Sequence, residues 1–416
     1  MTATHPLIHP FAALRPRPEH AAAVAAPPYD VLSSDEARAR AAGKPYSFLH
    51  ISKAEIDLPP EIDHYAPEVY ARSAENLKKL IDGGILLRET QPCYYAYRLV
   101  MGTHTQTGLI ASASVDAYDA SRIRKHEFTR PDKEDDRVRQ IEALSAQTGP
   151  VLLAHPDSDE AERLVAAATA GKPIADLTAD DGIRHTVWRI DDDAAIARIS
   201  AIVEAMPALY IADGHHRSAA ASRVAAARRN ASGKGTPDSA EYFLAVIFPA
   251  RQMRILDYNR VVRDLNGLTA DALLKAIGER CAVTPSATPV HPERTGTFGL
   301  YLDRRWYHLA IRPELVPAQD PVRRLDVSVL TEQILGPILG ITDLRRDTRI
   351  EFVGGIRGLP ELERRVNSGE MAAAFAMHPT QLSELMSVAD AGEIMPPKST
   401  WFEPKLADGL ASHVLD

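Results

Sequence analysis

The run Asp213-Gly214-His215-His216-Arg217 follows the apolar segment Ala208 to Ala212 and precedes the alanine-rich stretch Ser218 to Arg229. A short apolar strand, a glycine turn and a helix in immediate succession demand an α/β arrangement with the turn at the end of a sheet. Such a turn suits an anion. The first helical N–H groups have no partner within the helix, the helix dipole favours negative charge there, and the imidazoles add donors. Arg217 has the fork geometry to hold two phosphate oxygens at once. The competing reading is a structural connection with one histidine packed on the sheet. Against it stands cost, because two imidazoles, a carboxylate and a guanidinium are expensive to bury unless they are paired or bind something. Phosphate chemistry is therefore the first expectation, with Gly214, His215, His216 and Arg217 around the phosphates and Asp213 holding a metal ion or orienting a hydroxyl.

Charge is densest between Ile123 and Arg139, where both signs interleave. A solvated helix face explains that pattern; so does a place where a polyanion and its metal are handled. Within it, the pair His126-Glu127 supplies a carboxylate able to take the proton of an attacking alcohol, and Arg130 and Lys133 add positive charge nearby. Three histidines also permit a zinc reading. Consecutive residues seldom face one ion, however, and no His-Glu-x-x-His spacing occurs, so the sequence argues against it.

The formal net charge of -8 leaves no positive field for non-specific nucleic-acid binding. Cys93 and Cys281 are too few and too far apart for a disulfide framework or a paired-thiol metal site, which fits a reducing compartment. Prolines and arginines interrupt Met1 to Arg17 where a signal peptide needs an apolar run, and no apolar run reaches the length of a membrane span. A cytoplasmic location is expected, with no nucleic-acid or membrane partner; the sequence is silent on oligomeric state.

Along the chain, Pro10 to Pro16 and Ala26 to Val31 read as ordered, irregular segments fixed by proline. Helical spacing runs from Glu68 to Leu80, with Gly83-Gly84 as its stop. Tyr94 to Met101 and Thr107 to Val115 form a predicted hairpin about Gly102-Thr103-His104, and a second is predicted about Asp303-Arg304-Arg305. Helix is expected around Gln140 to Ala146, and strand from Val151 and from Tyr242 to Phe248. Ala231 to Pro237 has the composition of a surface loop. Towards the C-terminus the pattern gives strand Ile350 to Val353, helix Leu359 to Val366, strand Met371 to Met377 and a helix capped by Thr380. Phe352 to Gly358 is a second possible phosphate cradle without the lysine and hydroxyl of a P-loop, and a tight turn explains it equally well. Met395 to Lys405 combines lysines, hydroxyls, aromatics and prolines in a way that suits either the lining of a pocket, the favoured reading, or a clamp of the C-terminus onto the core.

Several of these strings together resemble one prokaryotic family, domain of unknown function 1015. They are Pro10 to Pro16, Ala26 to Val31, Lys125 to Arg130, Thr148 to Pro150, Ile211 to Arg217, Phe352 to Gly358 and Met395 to Lys405. The Asp-Gly-His-His-Arg turn after an apolar strand is also similar to the phosphate-binding box of the ParB/sulfiredoxin superfamily, most closely that of archaeal free-serine kinases, which share an upstream His-Glu pair. That resemblance implies an α+β (mixed α/β) fold, with a ParB/sulfiredoxin-like nucleotide-binding core over 96–265 between N-terminal (1–95) and C-terminal (266–416) α/β segments. It implies a Mg²⁺-dependent phosphotransferase using ATP or ADP, with free L-serine as the favoured acceptor. Glu127 with His126 would serve as the base, Asp213 would hold the metal, and Gly214 to Arg217 with Arg130 and Lys133 would hold the nucleotide. Sulfiredoxin chemistry is excluded because His215 stands where a cysteine is required. A ParB-like role on DNA lacks a helix-turn-helix. Two alternatives share the anion site: a nucleotide-binding regulatory protein without turnover, and a phosphatase of a metabolite such as phosphoserine.

Overall fold

The computed structural model describes residues 5–232 and 238–416. Its contacts divide the chain into two units, residues 1–253 with 404–416, and residues 254–403. This division differs from the three expected segments. Ile8–His9 pairs with the long strand His104–Ser114, which ties the N-terminal segment into the first sheet. At the other boundary, Tyr258–Val262 is paired on both sides within the second sheet, so the first unit ends before residue 265.

The first unit is a mixed α/β structure on a nine-stranded sheet. In chain order its strands are β1 (Ile8–His9), β2 (Tyr94–Met101), β3 (His104–Ser114), β4 (Ile123–Arg124), β5 (Val151–His155), β6 (Ala175–Thr178), β7 (Arg184–Ile190), β8 (Leu209–Asp213) and β9 (Tyr242–Pro249). They lie in the order β4-β8-β5-β9-β3-β2-β7-β6, with β1 beside β3. The predicted hairpin is β2 and β3, closed so tightly that Met101 faces His104, and Gly102 supplies the φ of +60° the turn requires. Two contacts are parallel, β9 on β5 and β8 on β4. The latter matters most. Parallel neighbours end on the same side, so the chain leaving Arg124 and the chain leaving Asp213 emerge together.

Strand β8 is apolar because it is buried: Leu209 and Ile211 are fully enclosed. The helix His215–Ser232 follows one residue later, and its alanines let it lie close on the sheet, with Ala221 and Ala225 in the main core. On its other side it meets the helix Pro131–Leu144 through Ala220, Val224 and Ile141. That second helix begins at Pro131, a residue that forfeits no hydrogen bond at the first helical position, so the helix-face reading of the charged stretch holds from Pro131 and runs on without a break through the helix expected around Gln140. Lys125 to Arg130 is thereby left as a loop. Residues 233–237 of the expected surface loop lie outside the described residues.

The second unit is a six-stranded antiparallel sheet in which Thr297–Leu302 and Arg305–Ile311 form the other predicted hairpin. Its turn is Asp303-Arg304, both at positive φ. Helix Gly358–Asn367 covers the sheet with Leu362. The Thr380 cap does not form. Gln381 caps the helix Leu382–Asp390 in a reciprocal box with Glu384, while the Thr380 hydroxyl donates to the Ser399 carbonyl. No helix among the described residues is long and apolar enough to cross a membrane.

Candidate functional site

Gly214 is the pivot of the turn, at φ +97°. Its carbonyl accepts from the N–H groups of Arg217 and Ser218, which starts the helix. Because β4 and β8 are parallel, the loop from Lys125 to Arg130 lies against this turn, and the two histidines fasten it there. The His126 N–H donates to His215 Nε2 at 3.5 Å, and the Arg130 N–H donates to His216 Nε2 at 3.1 Å. The rings of His126 and His215 meet edge to face at 4.5 Å. Burial pushes the His126 imidazole down to about 4. Burial takes His215 well below the usual imidazole range, and the charge of His126 would press it further. Both rings are therefore neutral at pH 7.

Glu127 stands 3.7 Å from His215 Nδ1 with half of its side chain exposed. Phe128, beside it on the same loop, is 66% exposed. His126, Glu127 and His215 bring one donor atom each within 4.8 Å of one another. The sequence argument against histidines converging holds for the adjacent pair, since His215 and His216 engage different backbone groups. It misses the convergence of His126 with His215, which depends on strand pairing and leaves no mark in local spacing.

Asp213 is paired with Lys405, whose Nζ donates to Oδ2 at 3.0 Å. Burial raises this carboxyl, but Lys405 and Arg217 more than offset that and hold it down at about 2. Arg217 already has two partners within the protein. Its guanidinium donates to Asp30 Oδ2 at 2.9 Å and to the Pro150 carbonyl, and its side chain is 10% exposed. The Arg217 side chain runs alongside Gly149, where an added Cβ would be in ordinary van der Waals contact with Cδ at 3.4 Å. Of the two expected outer cations, Arg130 is exposed and paired with Asp132, while Lys133 donates to the Tyr65 hydroxyl at 2.7 Å.

Behind Arg217 lies a polar group the sequence did not reveal. Arg137 lies 3.9 Å above the Tyr29 ring and pairs with Asp136. Asp408 is buried among them; burial raises its carboxyl to about 7 although Arg217 and Arg137 pull it down. Tyr29 and Asp30 belong to the proline-fixed string Ala26 to Val31, where an acid next to an aromatic in a rigid segment was the available signal.

The second glycine run is not a cradle. Gly358 takes the φ of +68° that the tight-turn reading requires, whereas Gly354 and Gly355 have no positive φ; a Cβ at Gly354 would strike Trp401 at 2.8 Å, and one at Gly355 would strike the Asp257 carboxylate at 2.2 Å. A carboxylate occupies the space a phosphate would need.

Fold and site together define a mixed α/β protein with an anion-suited strand-to-helix turn and a carboxylate beside it. A family model described as protein of unknown function (DUF1015) matches residues 8–328, and the chain belongs to that family. No curated protein matches it. Solved structures similar to it include a conserved hypothetical protein from Pyrococcus furiosus, 13% identical over 73% of this chain and 94% of that one, with a TM-score of 0.34. A free serine kinase in complex with AMP is 14% identical over 73% and 92%, with a TM-score of 0.35. SbnI with a C-terminal truncation, from Staphylococcus aureus, is 11% identical over 72% and 85%, with a TM-score of 0.36. Likeness at this level carries neither fold nor activity across, so function rests on the site's own chemistry.

Proposed function

We propose that the chain is a Mg²⁺-dependent phosphotransferase that moves a phosphoryl group from ATP or ADP to the hydroxyl of a small metabolite, with free L-serine the favoured acceptor. One observation carries this reading: the half-exposed Glu127 carboxylate stands against the first turn of the His215–Ser232 helix, 3.7 Å from His215. Phosphoryl transfer needs phosphates held still and a group to take the alcohol's proton as the new O–P bond forms. The helix N-terminus suits the first task and Glu127 the second. His215, neutral and enclosed, positions Glu127. Arg130 and Lys133 supply positive charge on the loop side of the turn.

Asp213 is the carboxylate fitted to hold Mg²⁺. Such an ion takes one or two carboxylates together with substrate phosphates, and Asp213 stays ionised with only Oδ2 committed to Lys405. When bound, the ion neutralises charge on the phosphates.

The test incubates purified protein with ATP or ADP, Mg²⁺ and L-serine, and measures phosphoserine. Glu127→Gln is expected to lower turnover by roughly 10²-fold or more while nucleotide affinity is retained. Unchanged turnover in that variant removes Glu127 from the mechanism. The engagement of Arg217 with Asp30 and Pro150 favours a second reading, a nucleotide-binding regulatory protein without turnover. Saturable nucleotide binding with no product, in the same assay, would support it.

A further inference from the structure

Three of the buried polar atoms without a hydrogen-bond partner border one cavity in the first unit: Ser52 Oγ, Arg217 Nε and Asp408 Oδ1. Tyr29, Arg137, Gln140, Gln147 and Thr148 are the other polar residues of its wall. Ser52 and Asp408 are 8% and 2% exposed, and the Arg217 side chain 10%. A buried polar group left without a partner keeps the full cost of losing its water, so three around one space mark it as built for a polar occupant.

The charges select its kind. Asp30 and Asp136 already neutralise the two guanidiniums. A bare anion would add charge that nothing offsets and would leave Asp408 facing it. The free groups are a donor on Arg217, an acceptor on Asp408 and a hydroxyl on Ser52, which match a ligand negative at one end and positive at the other. The cavity measures about 30 Å³, on a measure by which one water needs roughly 10–15 Å³. That is room for two or three waters, or for a molecule of their combined bulk.

We propose that this cavity binds a small free α-amino acid, its carboxylate on Arg217 Nε and Arg137, its ammonium group on Asp408 and Ser52. The bordering residues do not include Glu127. The bound amino acid is thus separate from a phosphoryl acceptor and acts on the turn through Arg217, whose backbone N–H closes the turn on the Gly214 carbonyl and whose side chain borders the cavity. This holds whether or not the chain transfers phosphate.

The experiment titrates glycine and L-alanine, which have no hydroxyl to accept a phosphoryl group, into the full chain without nucleotide, followed by calorimetry and by the unfolding temperature. Saturable binding at one site is expected, with an upward shift of the unfolding temperature. Asp408→Asn should weaken binding 10-fold or more and Ser52→Ala several-fold, while acetate and ethanolamine, each lacking one charged group, bind at least 10-fold less well than glycine. Glu127→Gln should bind the amino acid as the unaltered chain does, even where phosphotransfer is lost. Ser52→Ala carries the test if Asp408→Asn does not fold. Absence of saturable binding, meaning a cavity that holds water only, overturns the proposal. So does acetate binding as well as glycine, or binding unaffected by Asp408→Asn and Ser52→Ala.

Discussion

Replacing Gly214 with alanine tests how the turn is held. At φ +97° an L-residue is strained by about 1–3 kcal/mol. The new Cβ would stand 3.3 Å from Val151 Cα. Val151 is held in the sheet by pairing with Ala245, so it retreats only by disturbing that pairing, a further cost of about 1 kcal/mol. Alanine returns about 0.5 kcal/mol by narrowing the unfolded chain. The balance is a loss of about 1.5–3.5 kcal/mol, a large share of the roughly 5–15 kcal/mol that stabilises a typical domain. In a unit of this size that lowers the unfolding temperature by about 3–14 °C. Gly182→Ala is the control. Gly182 has φ +81° and nothing within 4 Å of an added Cβ, so it reports the backbone cost alone. Urea and thermal unfolding of both variants would separate the two contributions. Equal losses in both would refute the claim of close packing against Val151, and a Gly214→Ala stability within about 0.5 kcal/mol of the parent would refute the strain as well.

If the proposed nucleotide uses the exposed Phe128 ring as a stacking platform, Phe128→Ala should weaken nucleotide binding by about 5- to 100-fold, the worth of one stacked base, and unchanged affinity in an equilibrium titration would exclude that role. In the second unit, burial raises the Asp326 carboxyl to about 7 although the Gly296 N–H pulls it down. Because the folded value lies above the unfolded one, its contribution to stability is full below about pH 4 and is lost as pH rises towards 7, by at most about 4 kcal/mol. Asp326→Asn keeps the Gly296 bond and should flatten denaturation curves across that window; an unaltered pH profile would contradict it. Gly355→Ala should destabilise the second unit by about 2 kcal/mol through collision with Asp257, read as a shift of its urea midpoint without a change in nucleotide affinity. Gln381→Ala should cost about 1 kcal/mol for the lost helix cap, measured the same way.

The strand-to-helix turn was legible because every residue in it obeys a local rule: an apolar run, a glycine able to take positive φ, then helix formers. Both hairpins were legible for the same reason. The partners of the turn were not. Ile123–Arg124 is a strand of only two residues, too short to show a period, yet its parallel pairing with Leu209 and Tyr210 brings His126 and Glu127 to His215. The commitment of Arg217 to Asp30 joins positions separated by 187 residues, which no spacing rule reaches. At Thr380 a local rule misled, because a nearby carbonyl took the hydroxyl and the next residue assumed the capping role. The glycines at 354 and 355 were read as conformational when their reason is steric, set by Trp401 and Asp257 from elsewhere in the sequence.

The first unit is discontinuous: the chain leaves it at Met253, builds the second unit and comes back at Pro404. Lys405 and Asp408, the partners of Asp213 and the neighbours of Arg217, belong to the returning segment. On a ribosome adding about 5–20 residues each second, the turn is made on the order of 10–40 s before these side chains exist. For that interval Asp213 has no lysine beside it and the space behind Arg217 is open on one side. The nascent protein therefore carries its anion-suited turn in an unfinished form, and that turn is completed only when synthesis has passed through the whole of 254–403.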